Sequence, residues 1–329
     1  MRGCCLTDMD KLLTILSDGQ FHSGEDLGAR LGVSRTAVWK QVQKLVETGL
    51  PLETQKGCGY RIPGGLELLN LSELERLLTG VTPLLKPELH LFNSITSTNA
   101  LAREVAENQN ATGMVFLAEQ QTEGRGRRGR EWFSPLGRNI YLSVAWGFDG
   151  VQFLEGLSLS VGVAVRRALE SCGIREVAFK WPNDLIFQGK KLGGILLEVI
   201  GDPAGFCQVI IGVGINLNMP ATAEESIDQP WADVSEAVNE PVSRNRLAAT
   251  LVTELFELLS GYQDRGFAAY RSEWLRYDAF SNREVKLYLM NKVVQGISRG
   301  VDERGALLIE SGGEVQAYSG GEISLRAGS

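Results

Sequence analysis

Apolar residues recur at helical spacing three times within the first fifty residues, which predicts three short helices. Their inward-facing sets are Leu12, Leu13, Ile15 and Leu16, then Leu27 and Leu31, then Val38, Val42, Leu45 and Val46. Ser23 and Ser34 occupy positions typical of helix N-caps, and Gly32 is expected to end the second helix. Two short strands, at about Leu52–Gln55 and Tyr60–Ile62, follow and are joined by a glycine-containing turn. This first module is predicted to be a winged helix-turn-helix.

Further along the chain, helix-like and strand-like patterns both occur without strict alternation. The predicted strands are at 89–92, 114–118, 140–146, 177–180, 185–187, 194–200 and 208–217. The predicted helices are at about 71–78, 99–108, 153–172, 244–263 and 267–275. An α+β fold with a mixed sheet is therefore favoured over a doubly wound parallel fold.

After Asn282 the pattern contains only short strands separated by glycine turn signals, and its length suits a small SH3-like β-barrel. The turn signals are at Gly296, Gly300, Gly305, Gly312 and Gly313. The predicted organisation is a winged helix-turn-helix at 1–65, a linker at 66–87, a central α+β domain at 88–278 and a C-terminal SH3-like β-barrel at 279–329.

Composition narrows the class of protein. A chain of 36.0 kDa with 43% hydrophobic and 22% charged residues is expected to be soluble and globular. Asp8, Asp10 and Lys11 interrupt the apolar stretch that a signal peptide needs, and no run approaches the ~18 apolar residues of a membrane span. We expect a cytoplasmic protein without a membrane partner.

His22 and His90 are far apart, which excludes a His-rich metal centre. The five cysteines form no CxxC pair, which argues against a disulfide framework.

The charge of −7 is unevenly distributed, because the N-terminal module carries slightly more basic than acidic residues. No acidic residue lies between Leu27 and Val46, a stretch that includes most of the third predicted helix. Candidate DNA-binding residues on this helix and on the hairpin are Ser34, Arg35, Thr36, Trp39, Lys40, Gln43, Lys44 and Lys56. A charged, solvated face on a protein-interaction module is the alternative. The basic helix together with a hairpin wing favours DNA.

A loop with four arginines and three glycines, Gly124–Arg130, matches G-x-G-x-x-G literally. A dinucleotide-binding loop follows a strand directly and opens a helix, whereas polar residues precede this loop and Pro135 follows it. Guanidinium groups and closely approaching main-chain N–H groups suit a phosphate or carboxylate instead. A solvated basic loop and an RNA-binding patch are the alternatives. No Walker A motif occurs in the sequence.

Two further clusters carry unusual polar residues, Lys180–Leu185 and Lys190–Leu196, and a glycine-rich strand ends at Gly212–Asn216. A lysine beside glycines on a buried strand is costly unless it is paired, although an outward lysine on an edge strand would explain one such residue. Together with Ser97–Asn99 and the arginine loop, these segments resemble the biotin–protein ligases. The N-terminal module makes the chain similar to the bifunctional group, the biotin operon repressors.

The resemblance implies a biotin/ATP-binding catalytic domain at 88–278 and two reaction steps. Biotin attacks the α-phosphate of ATP to give biotinyl-5′-AMP and pyrophosphate, and an acceptor lysine then displaces AMP. The implied biotin-binding residues are Ser97, Thr98, Asn99, Gln121, Arg125, Gly126, Arg127 and Lys191. The implied ATP- or adenylate-binding residues are Arg128, Arg130, Trp132, Lys180, Asn183, Asn216 and Trp231. The catalytic candidates are Lys191, Asp184, Arg125 and Arg127.

The resemblance also implies cofactors and partners. ATP and Mg²⁺ would act with biotin, and no protein-built metal site is assigned. The implied partners are the biotin carboxyl carrier protein of acetyl-CoA carboxylase, biotin operator DNA and a second copy of the chain, with dimerisation promoted by biotinyl-5′-AMP. The acceptor lysine must lose a proton, and Asp184 is a candidate to receive or position it, with Mg²⁺ binding or capping of the turn after Pro182 as alternatives. Rival functions are a ligand-sensing transcription factor without ligase activity and a lipoate-type protein ligase.

Overall fold

The computed structural model describes residues 7–79, 86–150, 154–202, 205–220, 223–238, 240–289, 292–319 and 324–327. The N-terminal module contains α1 (Asp8–Leu16), α2 (Gly24–Leu31), α3 (Arg35–Glu47), β1 (Glu53–Gln55) and β2 (Gly59–Arg61). The Ser23 and Ser34 side chains accept hydrogen bonds from backbone N–H groups in the first turns of α2 and α3. Gly32 ends α2 in the left-handed conformation, at φ 69°. The predicted winged helix-turn-helix is confirmed.

The core of this module consists mainly of leucine and valine side chains from its three helices. Val46 was predicted to face this core, but its side chain is 45% exposed because the last turn of α3 lies at the surface. Leu136, which belongs to the central domain, is buried in the same core and packs with Leu66 and Leu68. The N-terminal module is therefore packed directly against the central domain.

The central domain is built on a seven-stranded mixed sheet with the strand order β3-β4-β5-β9-β8-β7-β6. Its strands are β3 (Glu88–Phe92), β4 (Met114–Ala118), β5 (Ile140–Phe148), β6 (Ala178–Lys180), β7 (Asp184–Phe187), β8 (Lys190–Gly201) and β9 (Cys207–Ile215). Only the β3–β4 pair is parallel among the neighbouring strands of this sheet as described. The predicted α+β class with a mixed sheet is confirmed.

Helices cover the two faces of this sheet unequally. The helices of the domain are α4 (Leu71–Leu78), α5 (Thr98–Asn108), α6 (Leu157–Ser171), α7 (Ala223–Ser226), α8 (Arg244–Ser260), α9 (Tyr262–Arg265) and α10 (Ala268–Arg276). The main core lies between one face of the sheet and α6, α8 and α10. On the other face α5 packs through Ala102 and Ala106 onto Phe116, Ala145 and Ile210. The rest of that second face is available for a site.

Three predicted boundaries in this domain differ from the structure by three residues or more. The helix predicted from residue 153 starts at Leu157, because Gly156 precedes it in the left-handed conformation at φ 68°. Residue 153 itself lies outside the described ranges. The helix predicted over 244–263 ends at Ser260, and the short α9 follows after Gly261. The strand predicted from Gly194 begins earlier, at Lys190, so that Lys191 lies within β8.

The C-terminal module is a five-stranded antiparallel sheet with the order β13-β12-β11-β10-β14. Its strands are β10 (Glu284–Tyr288), β11 (Val293–Val301), β12 (Leu307–Ser311), β13 (Glu314–Tyr318) and β14 (Ser324–Ala327). Gly296 and Gly300 do not mark turns as predicted, since both lie inside β11. Gly300 has φ 78° and lies at a shift in register between Ser298 and Val301.

The segment predicted as a linker contacts the central domain. Leu74 and Leu78 of α4 are buried in the main core. Burial would raise the pKa of Glu67, but hydrogen bonds from Ser243, Arg244 and Asn245 outweigh it and lower that pKa below its ordinary value. The carboxylate of Glu67 thus caps the start of α8.

A buried ion pair joins this segment to the sheet. Arg244 Nη1 lies 2.7 Å from Glu119 Oε2, and the side chains are 3% and 1% exposed. Arg244 also donates to the main-chain oxygens of Glu67 and Asn139, and Glu119 accepts a hydrogen bond from the N–H of Leu69. Such a pair is costly to break, because the remaining charge stays buried. No helix in the described ranges is long and apolar enough to cross a bilayer.

Arg244→Ala is predicted to lower the free energy of unfolding of the protein by about 3–5 kcal/mol, since Glu119 would be left buried without its counter-charge. Arg246→Ala is the matched control, because Arg246 lies on the same helix with an exposed side chain. Urea unfolding followed by circular dichroism measures both variants. Equal losses in the two variants would contradict a structural role for the pair.

A candidate ligand site on the glycine-lined face of the central sheet

Three glycines form a depression on the sheet face that α5 only partly covers. Gly194 on β8 pairs with Gly214 on β9, and Gly212 pairs with Ser143 on β5. A Cβ atom on Gly214 would lie 2.6 Å from Trp132 Cε2, and one on Gly194 would lie 3.3 Å from Trp132 Cζ3. The indole of Trp132 therefore rests directly on the backbone of β8 and β9. We call Gly194, Gly212 and Gly214 the glycine shelf.

One side of the shelf is bordered by the start of α5. Ser97 is the N-cap residue, and Thr98 and Asn99 begin the helix. All three side chains are buried. A Cβ atom on Gly212 would collide with the amide of Asn99, so only glycine permits this close approach. Ser143 Oγ lies 2.6 Å from Asn99 Oδ1 and 2.8 Å from Thr98 Oγ1.

Gln121 joins the start of α5 to the arginine loop. Its Oε1 accepts from the N–H of Thr98 at 2.9 Å, and its Nε2 donates to Ser134 Oγ at 3.3 Å. Ser134 in turn donates to the carbonyl of Trp132 at 2.8 Å. The structure thus brings Gln121 to Ser97–Asn99, which lie more than twenty positions earlier in the sequence.

The arginine loop folds back on itself. The N–H of Gly126 donates to the carbonyl of Arg130 at 2.7 Å, and the N–H of Trp132 donates to the carbonyl of Gly124 at 2.9 Å. A single 3₁₀ turn, Arg127–Gly129, forms its tip, where Arg128 is left-handed at φ 59°. The side chains of Arg125, Arg128 and Arg130 are exposed, and Arg125 Nη2 lies 3.6 Å from Glu123 Oε2.

Arg127 is the arginine of the loop that turns inward. Its Nη1 donates to Asn183 Oδ1 at 3.3 Å, and Asn183 Nδ2 donates to the carbonyl of Ile195 at 2.7 Å. Burial lowers the pKa of Arg127 from its ordinary value, the neighbouring Arg128 lowers it further, and Asp184 opposes them. An incoming anion would stabilise the charged guanidinium of Arg127. Its negative charge would add to that of Asp184 and offset the cost of burying the guanidinium.

A β-bulge places Lys191 on the shelf side of the sheet. Leu185 pairs with Gly193 and Ile186 pairs with Lys191, so that Leu192 is the extra residue on β8. Leu192 is fully buried in the helix-covered core, whereas Lys191 Nζ lies 2.8 Å from Asp184 Oδ1. Asp184 itself pairs across the strands with Gly194. The bulge therefore turns Lys191 toward Asp184 and away from the core.

Lys191 lies between the shelf and a second chain segment. Its Nζ is 5.4 Å from the centre of the Trp132 ring. Its main chain forms a parallel bridge with Trp231, donating to Pro230 at 3.0 Å and accepting from Ala232 at 2.9 Å. Asn216 donates from Nδ2 to the carbonyls of Lys191 and Ala232, which fastens the segment carrying Trp231 beside Lys191.

Most of the predicted central-domain residues thus lie around the shelf, whereas the side chains of Arg125, Arg128 and Arg130 are exposed. Lys180 pairs across the strands with Asp184 on β6 and β7. The buried hydroxyl of Ser143, the hydroxyl of Ser134 and the carboxylate of Glu198 also border the site, and the sequence reasoning missed them. The available signals were Ser143 in the middle of an apolar strand and Glu198 on another strand. Neither signal indicates on which face of the sheet the side chain lies.

The N-terminal module presents the predicted basic surface. Arg35, Thr36 and Trp39 on α3 are exposed, as are Lys40, Gln43 and Lys44, and Lys56 is exposed on the hairpin. Trp39 is 51% exposed, which is unusual for so large an apolar side chain. Arg61 on β2 is paired within the hairpin, since Arg61 Nη2 lies 2.7 Å from Glu53 Oε2, and its guanidinium covers the Phe21 ring.

The fold and the site are those of a ligase with three modules. A central ligase domain lies between a helix-turn-helix module and a small β domain. A helix-turn-helix domain model matches residues 9–61. The model of the biotin/lipoate A/B protein ligase family matches residues 91–216. The model of the biotin protein ligase C-terminal domain matches residues 280–326. The three matches follow the order of the three modules.

Individual relatives narrow the assignment. The bifunctional ligase/repressor BirA of Escherichia coli (strain K12) is 42% identical over 320 residues, covering 96% of this chain and 97% of that protein. Its counterpart from Bacillus subtilis (strain 168) is 29% identical over 330 residues. The biotin protein ligase of Aquifex aeolicus, solved in complex with biotin and ATP, matches with a TM-score of 0.64 at 27% identity over 73% of this chain and 99% of that chain. The chain belongs to the bifunctional biotin–protein ligase/repressor family, which confirms the resemblance.

Gly214→Ala is predicted to displace the Trp132 indole and to lower the free energy of unfolding by about 1–3 kcal/mol. Near-ultraviolet circular dichroism reports the ring and urea unfolding reports the stability. Gly162→Ala is the matched control, since its Cβ would lie 3.6 Å from Phe179 on the opposite face of the sheet, an ordinary contact. An unchanged spectrum and stability in Gly214→Ala would contradict the packing of Trp132 on the shelf.

Proposed function

We propose that this protein is a biotin–[acetyl-CoA-carboxylase] ligase and a biotin-responsive repressor. In the first step an oxygen of the biotin carboxylate attacks the α-phosphorus of ATP, and the bond to pyrophosphate breaks. In the second step the amine of an acceptor lysine attacks the biotinyl carbonyl, an amide bond forms, and AMP leaves with the electron pair of the broken bond. The acceptor belongs to a biotin carboxyl carrier protein.

The polar groups at the start of α5 suit the ring end of biotin. Thr98, Asn99 and Gln121 supply hydroxyl and amide groups beside the apolar indole of Trp132 and the flat glycine shelf. Fixed polar groups at one end of an apolar surface orient a small ligand. We place the ring of biotin at this end, with Ser97 and the loop residues Arg125 and Gly126 around it.

The other end of the shelf suits charge. Arg127 and Lys191 lie there beside Asn183 and Asp184, and charge that builds on the oxygens around phosphorus is stabilised by such cations. This cluster carries the proposal, because it brings two cations, Arg127 and Lys191, together beside the shelf. Arg128, Arg130 and Lys180 would meet the phosphates, and Asn216 and Trp231 would form the adenosine side.

Mg²⁺ is expected to enter with the nucleotide. Among the described residues, no three His, Cys, Asp or Glu side chains group into a metal site. The chemistry of Mg²⁺ agrees with this, since it binds substrate phosphates through few protein ligands and keeps several waters. Its contribution when bound is to neutralise phosphate charge.

Asp184 has a place in the second step. In the ligand-free protein it forms an ion pair with Lys191 at 2.8 Å. When Lys191 turns to a phosphate, the Asp184 carboxylate can accept a hydrogen bond from the incoming acceptor amine, which must lose a proton before it attacks. We propose this positioning role over turn capping, because Asp184 faces the shelf rather than the turn.

The repressor function rests on the exposed basic face of α3. A recognition helix presents its side chains to the major groove, while a wing contacts phosphates. The exposed residues of α3 would make the groove contacts, and Lys56 on the hairpin would make the phosphate contact. We propose that two copies of the chain, brought together when biotinyl-5′-AMP is bound, place two such helices on a two-fold operator. The presence or absence of bound biotinyl-5′-AMP would then control transcription.

Lys191→Ala is predicted to lower biotin-dependent ATP–pyrophosphate exchange by at least about 100-fold, since one of the charges that stabilise the transition state is lost. Lys190→Ala is a matched control, because Lys190 is the neighbouring lysine and its side chain pairs with Glu236 at 2.9 Å outside the shelf. Near-normal exchange in Lys191→Ala would contradict the role proposed for Lys191. A complete lack of exchange in the wild-type protein would instead favour a pure ligand sensor.

Lys40→Ala combined with Lys44→Ala is predicted to weaken binding to promoter DNA about 10-fold or more and to flatten its salt dependence, because two phosphate or base contacts are lost. Arg30→Ala is the control, since Arg30 lies on α2 and pairs with Asp26. Gel shifts with biotin and ATP at two salt concentrations measure the effect. Equal binding by all three proteins would show that α3 does not contact DNA.

A further inference from the structure

A continuous chain of side-chain contacts runs from the surface of β8 to the start of α5. Asn99 Nδ2 donates to Glu198 Oε2 at 2.9 Å, and Ser143 Oγ lies 2.6 Å from Asn99 Oδ1. Thr98 Oγ1 lies 2.8 Å from Ser143 Oγ and 3.1 Å from Gln121 Oε1. Glu198 is the outermost member, with 31% of its side chain exposed, whereas Asn99, Ser143 and Thr98 are buried.

The charge on Glu198 fixes the direction of every hydrogen bond in this chain. An ionised carboxylate only accepts, so Asn99 must present its NH₂ group to Glu198 and its oxygen to Ser143. The single hydrogen of the Ser143 hydroxyl is then committed to Asn99. Ser143 has none left for Thr98.

The Thr98 hydroxyl then receives no hydrogen from Ser143, and two acceptors in the protein lie within reach of its own hydrogen. Its acceptors are Ser143 Oγ and Gln121 Oε1, and Gln121 Oε1 is itself held as an acceptor by the N–H of Thr98 at 2.9 Å. With its one hydrogen used, Thr98 Oγ1 can offer a ligand only lone pairs. A hydrogen-bond donor on the ligand is matched at this position, and an acceptor is rejected.

We infer that Glu198 is a positioning residue that sets the polarity of this chain and thereby selects a ligand with an N–H group at Thr98. The inference rests on the proposed function, in which that group is a ureido N–H of biotin. Glu198 acts through Asn99 and Ser143 and does not itself touch the ligand.

Glu198→Gln tests the inference, because the new amide has the same shape but can also donate, so that Asn99 is free to turn round. We expect biotin binding, measured by isothermal titration calorimetry, to weaken about 10-fold, or about 1.4 kcal/mol. The KM for biotin should rise by the same factor, while kcat at saturating biotin and the KM for ATP stay unchanged. Ser143→Ala, which removes the relaying hydroxyl, should weaken biotin binding similarly.

Glu107→Gln is the matched control. Glu107 lies on α5, and both it and Glu198 contact Arg103, at 2.9 and 3.6 Å respectively. The control removes the same charge from the same arginine but does not touch Asn99, and it should leave biotin binding unchanged. An equal loss in Glu107→Gln would overturn the inference in favour of a general effect of charge.

A double-mutant cycle with Thr98→Val gives the sharpest outcome. If Glu198 acts through the Thr98 hydroxyl, Glu198→Gln should have no further effect on biotin affinity once that hydroxyl is gone. The inference would be overturned if the double variant lost affinity by the product of the two single losses, or if Glu198→Gln alone bound biotin normally. Either result would leave the proposed function intact. Failure of the wild-type protein to bind biotin would overturn both.

Discussion

The site depends on one irregularity, the β-bulge at Leu192. With regular pairing through β8, the side chain of Lys191 would lie on the helix-covered face, where an ammonium group has no partner and would be costly to bury. The bulge sends Leu192 into that core and gives Lys191 an ion pair with Asp184 at 2.8 Å. An anionic ligand can then exchange with Asp184 for the same cation.

The arginine loop is held at both of its ends. Glu119 before the loop forms the buried ion pair with Arg244, and Leu136 after it is packed in the core of the N-terminal module. The carbonyl of Glu119 also accepts from the N–H of Gly137 at 2.9 Å, which closes the base of the loop. The intervening residues carry the arginines, so their positions are set by firmly anchored ends and by the contact of Arg127 with Asn183.

Sequence patterns were sufficient for the modules and for most elements, because apolar periodicity and caps such as Ser34 and Gly32 act locally. Motifs also indicated which residues gather around the shelf. They could not reveal the bulge that reorients Lys191, since one inserted residue has no periodic signal. Val46 and Gly300 were misread for related reasons, as exposure in a last helical turn and a register shift inside a strand depend on packing. Glu198 and Ser143 join the site only through strand pairing.

The most direct test of the account is the intact mass of a biotin carboxyl carrier domain after incubation with this protein, biotin and ATP. We expect the carrier to gain one biotinyl group only when both small molecules are present, with release of AMP, and to gain none when its acceptor lysine is changed to arginine. An unchanged carrier mass, with biotin bound but no pyrophosphate released, would contradict it.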